Sequence, residues 1–298
     1  MSQRFICNET ILGWLANAYT PTPLSMLSAI KKVEQLDVVD RDACLEQEII
    51  TQDNTITPEV HQVLLQLANA TSARRFQMNK FGNTTEKTVY FAQGPGVSVD
   101  RMKDHYIIQY PVSLDVTYED MKEFVGDGQY VDVDVSLQIP QSVISTFICA
   151  IDWQRKATLL GIAQDQPATI WFSKEDLLHQ MHAISLNQMI HHMDFLQLEV
   201  MEIDPEEAVK LNLFVKQNDV YRLSDDVVEL GLSMLLLDLV VDLMSVVSLN
   251  DHYEVSRARV FVFDRHNLLY VENMNESCDI SSVSGTEVLG IMKEMLIN

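Results

Sequence analysis

Hydrophobic and polar positions along this chain spell out one pattern twice. Residues 49–60 read IITQDNTITPEV, and residues 213–227 read LFVKQNDVYRLSDDV. In each copy an apolar pair precedes a polar turn, Gln52-Asp53-Asn54 in the first and Gln217-Asn218-Asp219 in the second. A residue of strand type follows. Then comes a helix-start signal, Thr57-Pro58-Glu59 or Ser224-Asp225-Asp226, because a short polar residue followed by proline or acids satisfies the first turn of a helix. Each copy leads into an apolar helix pattern, strand-like runs and a short closing helix. The pattern predicts two similar halves, 1–128 and 129–298, packed closely as one globular unit. The natural special place of such a chain is the junction, which points to a scaffold or binding protein.

The predicted elements fill in around these repeats. Residues 9–19, 24–36 and 41–48 read as helices, and IITQDNTIT as a small strand-turn-strand. Helix 58–70 places Val60, Val63, Leu64 and Leu67 on one face. Strands are expected at 72–79, 87–92 and 105–111, with a loop between the last two opened by Gly94-Pro95-Gly96. Helix 116–125 closes the first half. Residues 130–138, YVDVDVSLQ, alternate strictly and read as an edge strand whose wet face carries Asp132 and Asp134. Helices are expected at 141–162, 174–192 and 205–212, and a strand at 168–172. In the second copy a long helix is expected over 225–247, then strands 254–263, 268–273 and 277–281, then helix 285–296. The fold class is mixed α/β (α+β): a pseudo-two-fold duplication, each half with winged-helix-like helices and an antiparallel meander.

Segment 230–247, LGLSMLLLDLVVDLMSVV, is nearly apolar enough to suggest a membrane span. Asp238 and Asp242 argue against it, since a carboxylate at a bilayer centre costs about 2.5–3.5 kcal/mol on insertion scales. Gly231, Asp238, Asp242 and Ser245 instead form one narrow polar stripe on a helix buried over most of its surface.

Charge narrows the partners. The 298 residues carry a formal net charge of −22, which repels phosphate backbones and anionic membranes and suits a basic or neutral protein. Apolar residues make up 47%, too many for a disordered chain. Cys7, Cys44, Cys149 and Cys278 form no CxxC pair and read as reduced thiols. The N-terminus MSQRFICNET lacks the pattern of a secretion signal, so the cytoplasm is expected.

Catalytic motifs are scarce. His179, His182, His191 and His192 are the best metal candidates. At about 100° per residue, the last three point about 300°, 120° and 220° round the axis from His179, so they do not converge on one ion. No HExxH, phosphate loop, GxGxxG or GxSxG is present. No metal, cofactor or enzymatic activity is expected. Neither apolar helix after a repeat carries the Lys and Arg of a DNA-reading helix. Met181, Met189, Met193, Met201, Met234 and Met244 supply adaptable apolar surface to the second half.

The duplicated order, carried by Ile49-Ile50…Thr57-Pro58-Glu59-Val60 and Leu213-Phe214-Val215…Ser224-Asp225-Asp226-Val227, resembles the EspG family of type VII secretion chaperones. In length it is similar to the Firmicutes, EsaE-type relatives. The resemblance implies a non-enzymatic cytosolic chaperone. It implies a client that is a helical secretion substrate of WXG or LXG type, presented to an export ATPase. It also implies client contact through the loop before the last strand of the first meander, here Gly94, Pro95, Gly96, Val97, Val99, Arg101 and Met102, and through C-terminal helices. The alternatives are a regulator with degenerate winged helices and a hydrolase or metal protein using the His179–His192 stretch.

Overall fold

A computed structural model describes residues 3–80, 83–112, 119, 121–123, 125–182, 202–233, 238–250, 252–263, 266–274 and 276–297. The chain divides into two compact units. The first comprises Met1–Asp120, Leu243–Ser256 and Ile291–Asn298; the second comprises Met121–Asp242 and Arg257–Gly290. The units depart from simple sequence halves because one long hairpin and the closing helix each contribute to both.

The first unit opens with strand β1 (Gln3–Cys7) and helix α1 (Glu9–Leu15). Asn8 caps α1 by accepting from the Ile11 N–H at 2.8 Å. Helix α2 (Val38–Glu46) and helix α3 (Pro58–Ala68) follow. Before α3, Ile50 and Ile56 form a single antiparallel bridge, and Asn54 takes the turn at φ 57°. A meander then runs through β2 (Ser72–Lys80), β3 (Asn83–Phe91), β4 (Val97–Arg101) and β5 (Tyr106–Tyr110). β1 returns to pair antiparallel with β5, Gln3 opposite Tyr110 and Cys7 opposite Tyr106. The strand order is β1-β5-β4-β3-β2, continued by the hairpin strands β9 (Leu239–Leu249) and β10 (His252–Val262). Ile11, Leu12 and Leu15 of α1 and Val60, Val63, Leu64 and Leu67 of α3 are buried with Phe5, Val97, Val99 and Ile108 of the sheet. The i, i+3, i+4, i+7 spacing on α3 therefore faces the sheet, and each side chain so buried contributes about 1.5–3 kcal/mol.

The second unit repeats this connectivity. Strand β6 (Ser136–Pro140) leads, and helix α4 (Gln141–Gln164) follows it. Helices α5 (Lys174–His182) and α6 (Pro205–Lys210) precede a true hairpin, β7 (Phe214–Gln217) with β8 (Val220–Leu223). Asn218 takes that turn at φ 54°. Helix α7 (Val228–Ser233) comes next. The meander is β9, β10, β11 (Leu268–Met274) and β12 (Ser277–Val283), and β6 pairs antiparallel with β12. Helix α8 (Gly285–Ile297) ends the described chain. Phe147, Ile148 and Ile151 of α4 pack with Phe172, Leu213, Leu230, Phe261, Val271 and Ile280 in its core. The fold class is α+β with antiparallel sheet, as expected.

Several elements differ from expectation. The predicted helix 225–247 is a short helix, α7, and then strand β9. Val240, Val241, Val246 and Val247 favour a pleated surface, and a continuous apolar run does not by its periodicity separate strand from helix. Asp242 faces a partner strand: Arg259 of β10 clasps its carboxylate, and both are buried. Within 24–36 only Met26–Ser28 is helical, as a 3₁₀ turn capped by Ser25. Strand 168–172 reduces to a bridge between Phe172 and Tyr221. Val133 and Val135 alternate with exposed Asp132 and Asp134 as read, but strand pairing begins at Ser136. Strand β1 was not anticipated. The predicted helices 116–125 and 174–192 fall partly outside the described residues, as do His191, His192, Met189, Met193, Met201 and Met234.

Candidate partner-binding segment

The segment expected as a loop, Gly94 to Met102, is mostly strand. Gly94 holds φ 115° at the β3–β4 turn, where only glycine turns freely. A β-carbon on Gly96 would come within 2.7 Å of Val89 Cγ1. That close approach seats β4 against β3. Val97 and Val99 then point into the first core, at 0% and 5% exposure, together with Phe5 and Ile108. Their apolar character is explained by the chain's own packing. Between them Ser98 is buried too.

Surface is left at the two ends of β4. At one end Gly94 and Pro95 are exposed. At the other, Arg101 stands opposite Glu86 in the sheet register, and Met102 starts a turn closed by its N–H donating to the His105 carbonyl at 2.9 Å. Met102 is 44% exposed. Asp100 lies 3.8 Å from Lys87 across the strand pair. The seven candidate residues therefore separate into a buried strand and two exposed tips that cannot act as one loop.

The remaining candidates are equally structural in character. His182 Nδ1 lies 2.7 Å from the Leu178 carbonyl on its own helix. Among the described residues no group of three His, Cys, Asp or Glu side chains could hold a metal ion. All four cysteines are free and buried. Burial, with Cys44 nearby, pushes the Cys7 thiol up to about 12, and burial, with Asp152 nearby, does the same for Cys149. Such thiols stay protonated and unreactive near neutral pH. Asp152 is buried on α4 and held by Arg155 at 2.6 Å and Lys156 at 2.7 Å, both on its own helix. Met181 packs against the second core. On the surface, Glu206 binds Lys216 and Tyr221 at 2.5 and 2.6 Å, and these hydrogen bonds hold its carboxyl below the usual range. No described helix is long and apolar enough to cross a membrane.

No family model matches the chain, and no curated protein does. Among solved structures the chain is similar to the Mycobacterium tuberculosis type VII secretion system chaperone EspG5, solved in complex with a PE25–PPE41 dimer. The TM-score is 0.56 at 9% sequence identity, and the match covers 99% of this chain and 95% of that one. The fold is EspG-like. At this identity the likeness is one of fold, and it extends over nearly all of both chains. Within the two sequence repeats Asn54 and Asn218 each take a turn at positive φ.

Proposed function

We propose that this chain is a chaperone or adaptor that binds a secreted helical protein and carries it to an export machinery. The observation that supports this reading is the end-to-end likeness of fold to a secretion chaperone solved with its PE–PPE partner. The acidic charge and the absence of any catalytic motif in the sequence agree with a protein that binds protein. On this reading the client is of WXG or LXG type, the chain is a Firmicutes, EsaE-type relative working in the cytoplasm, and an export ATPase receives the complex. The shared connectivity of the two units supports an origin by duplication. Of the two exposed tips of β4, the one bearing Met102 and Arg101 has the apolar side chain and charged rim of an interface anchor. We assign client contact there. Gly94 and Pro95, at the far end of the strand, lie outside that patch.

Deletion of the gene tests this reading. The expected result is loss of the secreted helical protein from the culture supernatant, restored by the wild-type chain and reduced by Met102→Asp. Unchanged secretion in the deletion strain would refute it.

A further inference from the structure

Among the described residues, several stretches of strand have no neighbour on one side, and the chain treats them differently. At β1, the Gln47 side chain covers the edge: its Oε1 accepts from the Ile6 N–H at 2.7 Å and its Nε2 donates to the Ile6 carbonyl at 2.9 Å. The amide thus imitates a neighbouring strand. At β6, the strand stops at Pro140, which has no N–H to offer. The outer half of β10, residues 252–256, has neither device.

The direction of its free groups follows from antiparallel alternation. The Val262 carbonyl accepts from Asp238, just ahead of β9, while the Phe263 N–H is given to Asn267 on the opposite side. Even-numbered residues of β10 therefore turn their backbone groups towards β9, and odd-numbered residues turn theirs away. On that other side the strand pairing begins only at Ala258. Tyr253 and Val255 are left presenting an N–H and a C=O each to a side where no described strand pairs with them, and residues 252–256 are all exposed. Among the described residues no hydrogen bond reaches that edge. Tyr253 and Val255 are strand formers, and no proline or lysine interrupts HYEVS.

We propose that residues 252–256 of β10 are a docking site for an extended, neutral-to-basic segment of a partner polypeptide, added as a further strand. Unpaired backbone groups in a row select an extended chain and not a helix. Charge selects among extended chains. Glu254 sits in the edge, and the whole protein carries −22, so a second copy of this chain is repelled while a lysine-bearing strand is drawn in. Tyr253 and Val255 then flank the incoming strand with apolar contacts. This inference does not depend on the client being helical, because the segment concerned lies outside any helix of the partner.

The probe is the fluorescein-labelled peptide Lys-Val-Thr-Val-Lys-Val-Thr-Val-Lys, titrated against the full chain by fluorescence anisotropy. Saturable binding is expected, with slowed amide exchange confined to the segment around Tyr253 and Val255. A version N-methylated at alternate residues, and a version with Glu for each Lys, should each bind at least about tenfold more weakly, the change expected when one strong contact is lost. Tyr253→Pro and Val255→Pro, which remove the outward N–H groups alone, should weaken binding similarly. The N-methylated peptide keeps the test valid should either proline variant misfold. Equal binding of the N-methylated peptide, or no change in exchange at 252–256, would overturn the proposal. So would a concentration-dependent dimer of the chain alone that protects the same amides, since a second copy would then own the edge.

Discussion

The two units have the same strand connectivity and hold it together by different means. In the first unit the helix after the small turn, α3, is a complete amphipathic helix, with Val60, Val63, Leu64 and Leu67 buried. In the second, α7 is six residues long, and the 24-residue α4 dominates the core. The buried charges differ as well. In the second unit Asp242 and Arg259 neutralise each other across β9 and β10. In the first, the buried guanidinium of Arg74 donates to backbone carbonyls: its Nε to Met295 at 2.9 Å, and its Nη1 to Ala73 and Val246 at 3.2 and 3.4 Å. Met295 lies in the last turn of α8, where exposed carbonyls carry partial negative charge. Arg74 therefore ties that helix end to β2 and β9. One connectivity can thus be satisfied by a packed helix and a carbonyl-held arginine, or by a long helix and an ion pair.

The largest expected effect probes what the units share. The third strands of the two meanders both bury apolar side chains, among them Val97 and Val99 in β4 and Leu269 and Val271 in β11. Val97→Asp with Val99→Asp, and Leu269→Asp with Val271→Asp, should each abolish cooperative thermal unfolding followed by circular dichroism, because every buried unpaired carboxylate costs several kcal/mol. A variant pair that kept its transition would mean that its strand is not core.

The next effect separates the units. Arg259→Met removes one member of this buried ion pair and should cost about 3–5 kcal/mol in urea unfolding, while Asp242→Leu with Arg259→Met should be near neutral or stabilising. Arg74→Met leaves only neutral carbonyls behind and should cost about 1–3 kcal/mol. Equal costs for the two single variants would erase the distinction. A smaller change concerns α7. A β-carbon on Gly231 would meet Gln154 Cβ and Cγ at 2.9 Å, so Gly231→Ala should cost about 1–3 kcal/mol through overpacking.

The smallest effect appears only in alkali. Each unit buries two thiols: Cys7 and Cys44, raised to about 12 and 11, and Cys149 and Cys278, both raised to about 12, in every case chiefly by burial. A thiol whose folded value lies above its ordinary 9.0 stabilises the protein fully below that pH and loses this contribution as pH rises towards 12. Cys7→Ala and Cys149→Ala should each flatten the loss of urea midpoint between pH 8 and 10, and by similar amounts. A change in one unit alone would show unequal burial.

Much of the architecture was legible because it rests on local chemistry. Asn54 and Asn218 mark turns that need a positive φ, and Pro58 and Asp204 mark helix starts. The mixed fold class and the meanders followed from alternation. What failed was non-local. Nothing in LVVDLMSVVSL says that Arg259 waits opposite Asp242, so the run passed for a helix with a polar stripe. β1 is five residues long and exists because β5, some hundred residues away, offers an edge. Val97 and Val99 looked like anchors in a glycine-opened loop, and only the pairing of β4 with β3 and β5 turns them inward.

Native mass spectrometry of this chain co-expressed with the secreted helical protein whose export the gene deletion abolishes tests the chaperone reading most directly. The account predicts a stable heteromeric complex that survives purification. Met102→Asp should weaken it without a change in melting temperature. Recovery of the chain alone, with the helical protein soluble and folded in a separate fraction, would contradict the account.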